Sequence, residues 1–186
     1  IDGERIKEVG PRAAVQLPPG TEEIKLSGLT LLPGLIDTHD HLAHKNYSLI
    51  SRWEIEDPAS LHHLKTARAI EESLAAGYTC IRDAGGLDAG FKLAVDQGLI
   101  NGPRLLTSVA IVSPTGGIGD RVAASGHRNT FNNDPMHPDG VANGPNDIRA
   151  LVRELVRVGA DVIKFATTGG ASSRSGHGPQ DIAFGP

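Results

Sequence analysis

Cysteine is almost missing from this chain. Cys80 stands alone among 186 residues, so no disulfide can close within it. Its apolar neighbours suit a small buried residue rather than a nucleophile, and such sparing use fits a cytoplasmic protein. Also missing is any apolar stretch approaching the ~20 residues that cross a bilayer, so no membrane is expected as a partner. There is no excess of basic charge either. The formal net charge is −4, with both signs mixed along the chain, which excludes the electrostatic footprint of a nucleic-acid or membrane-surface binder. Position 1 is Ile, not Met, and Asp181 to Pro186 stops where a connection to a further helix would begin. The chain therefore reads as a piece of a larger protein.

What is present is 39% hydrophobic residues, enough for one sizeable core. Residues 1 to 30 are short extended pieces broken by Asp2-Gly3, Val9-Gly10-Pro11, Pro18-Pro19-Gly20 and Ser27-Gly28, a pattern that predicts small antiparallel strands. From Leu31 onward strands and helices alternate. Leu31 to His39 is the first apolar strand. Asp57-Pro58 caps a helix whose stripe is Leu61, Leu64, the stem of Arg68 and Leu74, ending at Gly77. Tyr78 to Arg82 is the second strand, with Ala84-Gly85-Gly86 as its loop.

Asp88 then caps a shorter helix through Val95 that stops at Gly98. Arg104 to Val112 is the third strand. The polar, Gly/Pro/Asn-rich run Ser113 to Pro145 is too long for a mere connector and is expected to be a functional loop or lid. Asn146 caps a helix with Ile148, Leu151, Val152, Leu155 and Val156 on one face, ended by Gly159. Val162 to Ala166 is the fourth strand. This alternation means a parallel sheet. A doubly wound sheet would want a glycine-rich turn after its first strand, where this chain carries His-x-His. A (β/α)₈ TIM barrel fits better, since its active sites gather at the C-terminal strand ends. A whole barrel takes about 250 residues, so residues 31–186 hold its first half only.

Two strand ends carry the chemistry. His39 and His41, in Pro33-Gly34-Leu35-Ile36-Asp37-Thr38-His39-Asp40-His41, sit two apart and emerge on one side of a regular strand. A single strand histidine is most often a hydrogen-bonded core residue. Two at this spacing, flanked by Asp37 and Asp40 that can fix their tautomers, point to a metal. Lys164, in Asp161-Val162-Ile163-Lys164-Phe165, lies on the face opposite Ile163 and Phe165. It can snorkel its ammonium into water. Alternatively its neutral amine takes up carbon dioxide to give a carbamate, whose two oxygens can bridge divalent ions ~3.5–4 Å apart.

These segments resemble the amidohydrolase superfamily. Leu31 to His41 is similar to its first-strand motif. Ala76 to Gly86 and Gly98 to Arg104 resemble the branch that holds imidazolonepropionase-like proteins and Xaa-Pro dipeptidases, as do Gly144-Pro145, Val152-Arg153-Glu154 and Gly159 to Lys164. The resemblance implies a distorted (β/α)₈ barrel joined to a small β-sandwich domain, to which residues 1–30 would belong. It implies that His39 and His41 hold the more buried of two divalent metal ions, zinc being usual, and that Lys164 bridges both as a carbamate. The remaining ligands of the family, two histidines and an aspartate that also serves as general base, come from later strands. The chain thus holds half of a site and no catalytic residue of its own. One departure stands out: Thr115-Gly116-Gly117-Ile118-Gly119-Asp120 has Ile where relatives often have His. Ile118 either removes a substrate contact or belongs to a plain glycine turn.

The function implied is hydrolysis of an amide or peptide bond by a hydroxide held between two metals, in a protein expected to form homo-oligomers. Its substrates are small molecules, a dipeptide or an N-acyl amino acid, with a lean toward the dipeptidase side. The rival is a non-catalytic α/β module or partner subunit with structural histidines. Among the other histidines, His62 and His63 fall in a helix's first turn and read as solvated or locally bonded. His44 follows the metal motif in a loop, and His127, His137 and His177 lie in the long loops over the barrel mouth. Asp83 is open to two readings: a carboxylate supporting the site, or a partner for groups around Arg82.

Overall fold

The computed structural model describes residues 1–43, 58–120, 137–170 and 178–185. It divides into Ile1–Pro33 and Gly34–Pro186. In the first unit the antiparallel strands expected over residues 1–30 do not form. The only pairing among its residues is an isolated bridge between Asp2 and Arg5, and nearly every residue is exposed. A lone extended piece gains nothing by staying extended, because a strand is stabilised by partners on which to pair and pack. No such partner lies within these residues.

The second unit is built from parallel strands joined through helices. β1 (Leu35–Asp40), β2 (Tyr78–Asp83) and β3 (Arg104–Thr107) form a three-stranded parallel sheet in that order. β4 (Ile111–Val112) and β5 (Lys164–Phe165) form a separate parallel pair, with Ile111 opposite Lys164 and Val112 opposite Phe165. Between them run α1 (Ala59–Ala75), α2 (Ala89–Asp96) and α3 (Pro145–Arg157).

The core sits between strands and helices in two clusters. Ile81 of β2 and Leu105 of β3 pack with Leu42, Ile70 and Leu87. Val112 of β4 packs with Val109, Ala142, Leu151, Leu155 and Val158. A strand turns alternate side chains to opposite faces, and directly opposed residues share a face. Ile81, Asp83, Leu105 and Thr107 therefore face the helices, and Cys80, Arg82 and Leu106 face away. Cys80 is half-buried rather than buried.

The third strand, expected to run unbroken from Arg104 to Val112, is cut in two. Val109 has φ 62°, and the Ala110 N–H donates to the Ser108 carbonyl at 2.7 Å. That is a γ-turn of the rare kind, unfavourable for a β-branched residue by ~1–3 kcal/mol. Val109 is 1% exposed within the second cluster, and its carbonyl accepts from Gly86 at 2.9 Å. Burial and this bond offset the strain, and the bend separates β4 from the first sheet. The fourth expected strand, Val162 to Ala166, is assigned over Lys164–Phe165 only.

Helix ends follow local chemistry with two differences. Asp88 caps α2, accepting from the Gly90 N–H at 2.6 Å. In α3 the cap position is Gly144, with Pro145 at the first turn. Asn146 instead accepts from Arg149. The inner face of α1 is Thr66 and Ile70 rather than the expected leucine stripe, since Leu61 and Leu64 are 41% and 68% exposed. Asp57 lies outside the described residues, and Pro58 stands at the cap position. Val156, expected on the inner face of α3, is exposed, while Leu151 and Leu155 are buried. Of the run Ser113 to Pro145, residues 121–136 lie outside the described residues. The rest folds back, with Ser113 bridging Val141 in parallel fashion. No described helix is long and apolar enough to cross a membrane.

Candidate metal centre

His39 and His41 come together at the C-terminal end of β1, their ring centroids 5.4 Å apart. The route is not the plain alternation of a regular strand. The register against β2 slips between Asp37 and Asp40, and His41 lies just past the strand. A bulge of this kind re-aims side chains and is common beside active sites. It is held by the Asp37 carboxylate, which accepts from the His39 N–H at 2.8 Å, and by Arg82, whose Nε donates to the Thr38 carbonyl at 2.6 Å. His39 is exposed and His41 half-buried.

Asp37 and Asp40 do not orient the rings. Asp40 accepts from the His41 backbone N–H at 2.7 Å, so both flanking carboxylates bond backbone. The ring of His41 is held by the Gly85 carbonyl, 2.8 Å from Nδ1. A carbonyl can only accept, so Nδ1 carries a proton in this bond. Burial pushes the His41 pKa down, the charges of His39 and Lys164 add to this, and the Gly85 carbonyl and Asp40 oppose it. The net effect favours the neutral imidazole that a metal requires.

Lys164 is half-buried at the start of β5. Its place opposite Ile111 sets it on the face away from Val112 and the α3 layer. It lies near enough for its charge to act on His41, so the lysine and the histidine pair address common ground. Asp161, three residues earlier, anchors the approach to β5. It accepts from the Thr107 N–H at 3.0 Å and pairs with Lys92 of α2.

Asp83 is fully buried and on the helix side. Its carboxylate accepts from the N–H groups of Leu42 (2.7 Å), Gly85 (2.9 Å) and Leu87 (3.3 Å). The reading that paired it with groups around Arg82 fails, because Arg82 points to the other face. The role of the Gly85 carbonyl escaped sequence reasoning. The only signal was the glycine pair itself, since Gly85 has φ 139° and an added Cβ would lie 2.5 Å from Ile111 Cγ1.

Other candidates are not brought to the site. His63 stacks edge-on against Phe91 of α2, with ring centroids 5.9 Å apart, and His62 lies beside it. His137 lies over the β2 loop, 3.4 Å from the Gly86 carbonyl. His44, His127 and His177 lie outside the described residues. The Thr115–Asp120 run is a compact turn: Gly117 N–H donates to the Pro114 carbonyl at 2.8 Å and Asp120 N–H to the Gly117 carbonyl at 3.0 Å. Among the described residues no three His, Cys, Asp or Glu side chains form a metal-sized group. The candidate set is therefore two histidines and a lysine.

Parallel strands wound through helices, with histidines at one strand end, define an α/β chain of TIM-barrel type. The amidohydrolase family profile matches residues 30–184, and the chain belongs to that family. It is 34% identical over 167 residues to the ochratoxinase of Aspergillus niger, a match covering 84% of this chain and 34% of that protein. The crystal structure of a prolidase complexed with N-methylphosphonate-L-proline superposes with a TM-score of 0.82 at 32% identity, covering all of this chain and 45% of that one. A Xaa-Pro dipeptidase with methionine bound in its active site gives a TM-score of 0.67 at 26% identity, covering 82% of this chain and 37% of that one. The chain thus spans about a third to under a half of the relatives it matches.

Proposed function

We propose that the whole protein is a metal-dependent hydrolase of amide or peptide bonds, acting on dipeptides or N-acyl amino acids, and that this chain supplies the first half of its centre. The observation that carries the reading is the meeting of His39 and His41 at one strand end, ring centroids 5.4 Å apart, with Lys164 near enough for its charge to act on His41. That arrangement fits a divalent cation, zinc being the ion such donors commonly take. In this reading His39 and His41 would hold one ion, and Lys164, as a carbamate, would help to hold a second. Carbamate formation joins the amine nitrogen to carbon dioxide and releases one proton. The ions, when bound, would polarise the scissile carbonyl and activate a water.

The chain's own residues set the ground for this. Burial favours the neutral form of His41, the Asp37 and Arg82 bonds hold the bulge, and Asp161 holds the segment that presents Lys164. Membership of the amidohydrolase family and the prolidase, dipeptidase and ochratoxinase relatives support an amide substrate. Residues 1–30 are assigned on the same reading to a small β-sandwich domain.

Elemental analysis of the full-length protein, grown with zinc and bicarbonate, tests the proposal. About two metals per chain are expected, falling to about one or none in Lys164→Ala, with a loss of dipeptide and N-acyl amino acid hydrolysis. Well-folded protein without metal would overturn the centre and return both histidines to a structural role.

A further inference from the structure

We propose that Arg82 is a specificity residue of the candidate site, gripping a free carboxylate on the substrate with the two terminal nitrogens of its guanidinium. The inference rests on the hydrolase reading and adds what its substrate must carry. Strand register puts the residue in place. Asp37 stands opposite Ile81 and Asp40 opposite Asp83, so Thr38 and His39 together face the single residue Arg82, as in a two-against-one bulge. Arg82 is thus the residue that His39 meets across the sheet. Its Nε donates to the Thr38 carbonyl at 2.6 Å, which ties the side chain beside that histidine.

The anchor uses one donor and leaves the far end of the guanidinium for something else. Among the described residues its terminal nitrogens bond no group. The strand carboxylates are committed elsewhere. Asp37, Asp40 and Asp83 stand on the helix side, by their opposition to Ile81 and to each other, and each accepts from backbone N–H groups. The other face carries Arg82 and, opposite Cys80, Arg104, with Lys164 on the corresponding side of β5. Among the described strand residues that face therefore holds cations and no acid.

A guanidinium enclosed in a site without a counter-ion is costly, and its planar fork matches a carboxylate through two parallel bonds. Arg82 is exposed, so a ligand can reach it. Dipeptides and N-acyl amino acids both end in a free carboxylate, and a short substrate places that group close to the bond that is cut. A terminal amide fits worse. It lacks the charge, and it turns an NH₂ toward a side chain that can only donate.

The test compares kcat/KM of the zinc-loaded, full-length protein for alanylproline and for its C-terminal amide. Wild type is expected to favour the acid by about 10- to 100-fold, the span of a charge-assisted hydrogen bond. Arg82→Gln should bring that ratio close to one, chiefly by raising KM for the acid. Damage to the bulge slows both substrates alike and cancels in the ratio. Arg82→Lys keeps the charge and loses the fork, and should give a ratio between the two.

An Arg82 that merely holds the bulge, or pairs with a carboxylate of the protein itself, would lower the melting temperature and both rates with the ratio untouched. That result overturns the proposal. So does a wild type that does not prefer the acid, which needs no variant at all. Should Arg82→Gln fail to fold, an unchanged ratio in folded Arg82→Lys overturns it. If neither substrate is cut, calorimetric titration with proline and prolinamide decides. Tighter binding of the acid, lost in the variant, keeps the inference while the hydrolase reading falls, and equal binding removes both.

Discussion

Asp83 and Asp161 occupy comparable places, each beside one half of the candidate centre, yet they hold it by different means. Asp83 is wholly buried and bonds only backbone N–H groups. The Asp161 side chain is 23% exposed and divides itself between the Thr107 N–H and the ammonium of Lys92, whose side chain is 29% exposed. The histidine side is thus fixed by bonds that solvent and salt cannot reach. The lysine side hangs from a two-residue strand and a partly screened ion pair. A candidate ligand held through a ring hydrogen bond gains from the stiffer hold. A lysine with a long flexible stem can tolerate the looser one.

The largest effect that sharpens this contrast is a dependence on pH. Burial lifts the Asp83 carboxyl from 3.8 to about 7, against the three N–H donors that pull it down. Between those values the folded chain keeps a proton that the unfolded chain has lost. The stability due to this group is therefore full below about pH 4 and is lost as pH rises through about 7. The swing is at most about 4 kcal/mol. Urea unfolding of metal-free protein across this range should show the decline, and Asp83→Asn should flatten it. Parallel curves would place its origin elsewhere.

Next in size is Gly85→Ala. The new methyl would meet Ile111 Cγ1 at 2.5 Å and the backbone would stay at φ 139°, so a loss of about 2–4 kcal/mol is expected. Because the same peptide supplies the acceptor of His41, zinc affinity should fall with it. Stability lost without any change in affinity would break the link between the two.

The smallest is Lys92→Met, which keeps most of the stem and removes the charge. At this exposure the pair is worth about 1 kcal/mol, diminished by salt. The variant should unfold slightly earlier at low ionic strength and match wild type at high. An equal difference at both would mean that packing, not charge, anchors the lysine side.

Much of the fold was legible because it rests on local chemistry. The alternation of apolar strands with helices, the cap at Asp88 and the helix stops at Gly77, Gly98 and Gly159 all follow from properties of a few neighbouring residues. The break at Val109 was not legible, since nothing local favours a β-branched residue at positive φ. Only burial among Leu155, Ala142 and Val112, with the bond from Gly86, keeps it there. The face of α1 was misread for a related reason. Leu61 and Leu64 fit a helical stripe, but Thr66 and Ile70 are the residues buried, and it is Ile70 that packs with Ile81 and Leu105 of the strands.

By itself the sequence determined that His39, His41 and Lys164 lie at strand ends of a parallel α/β chain, and what chemistry such donors can perform. These follow from side-chain periodicity and functional groups, which travel with the residues. Only the tertiary structure decided that the proton of His41 goes to the Gly85 carbonyl, 44 residues away. It alone turned Asp83 to the helix side and made Asp161 the anchor of β5. Each of these depends on which backbone groups of distant segments meet, and a bond between segments is a property of neither one alone.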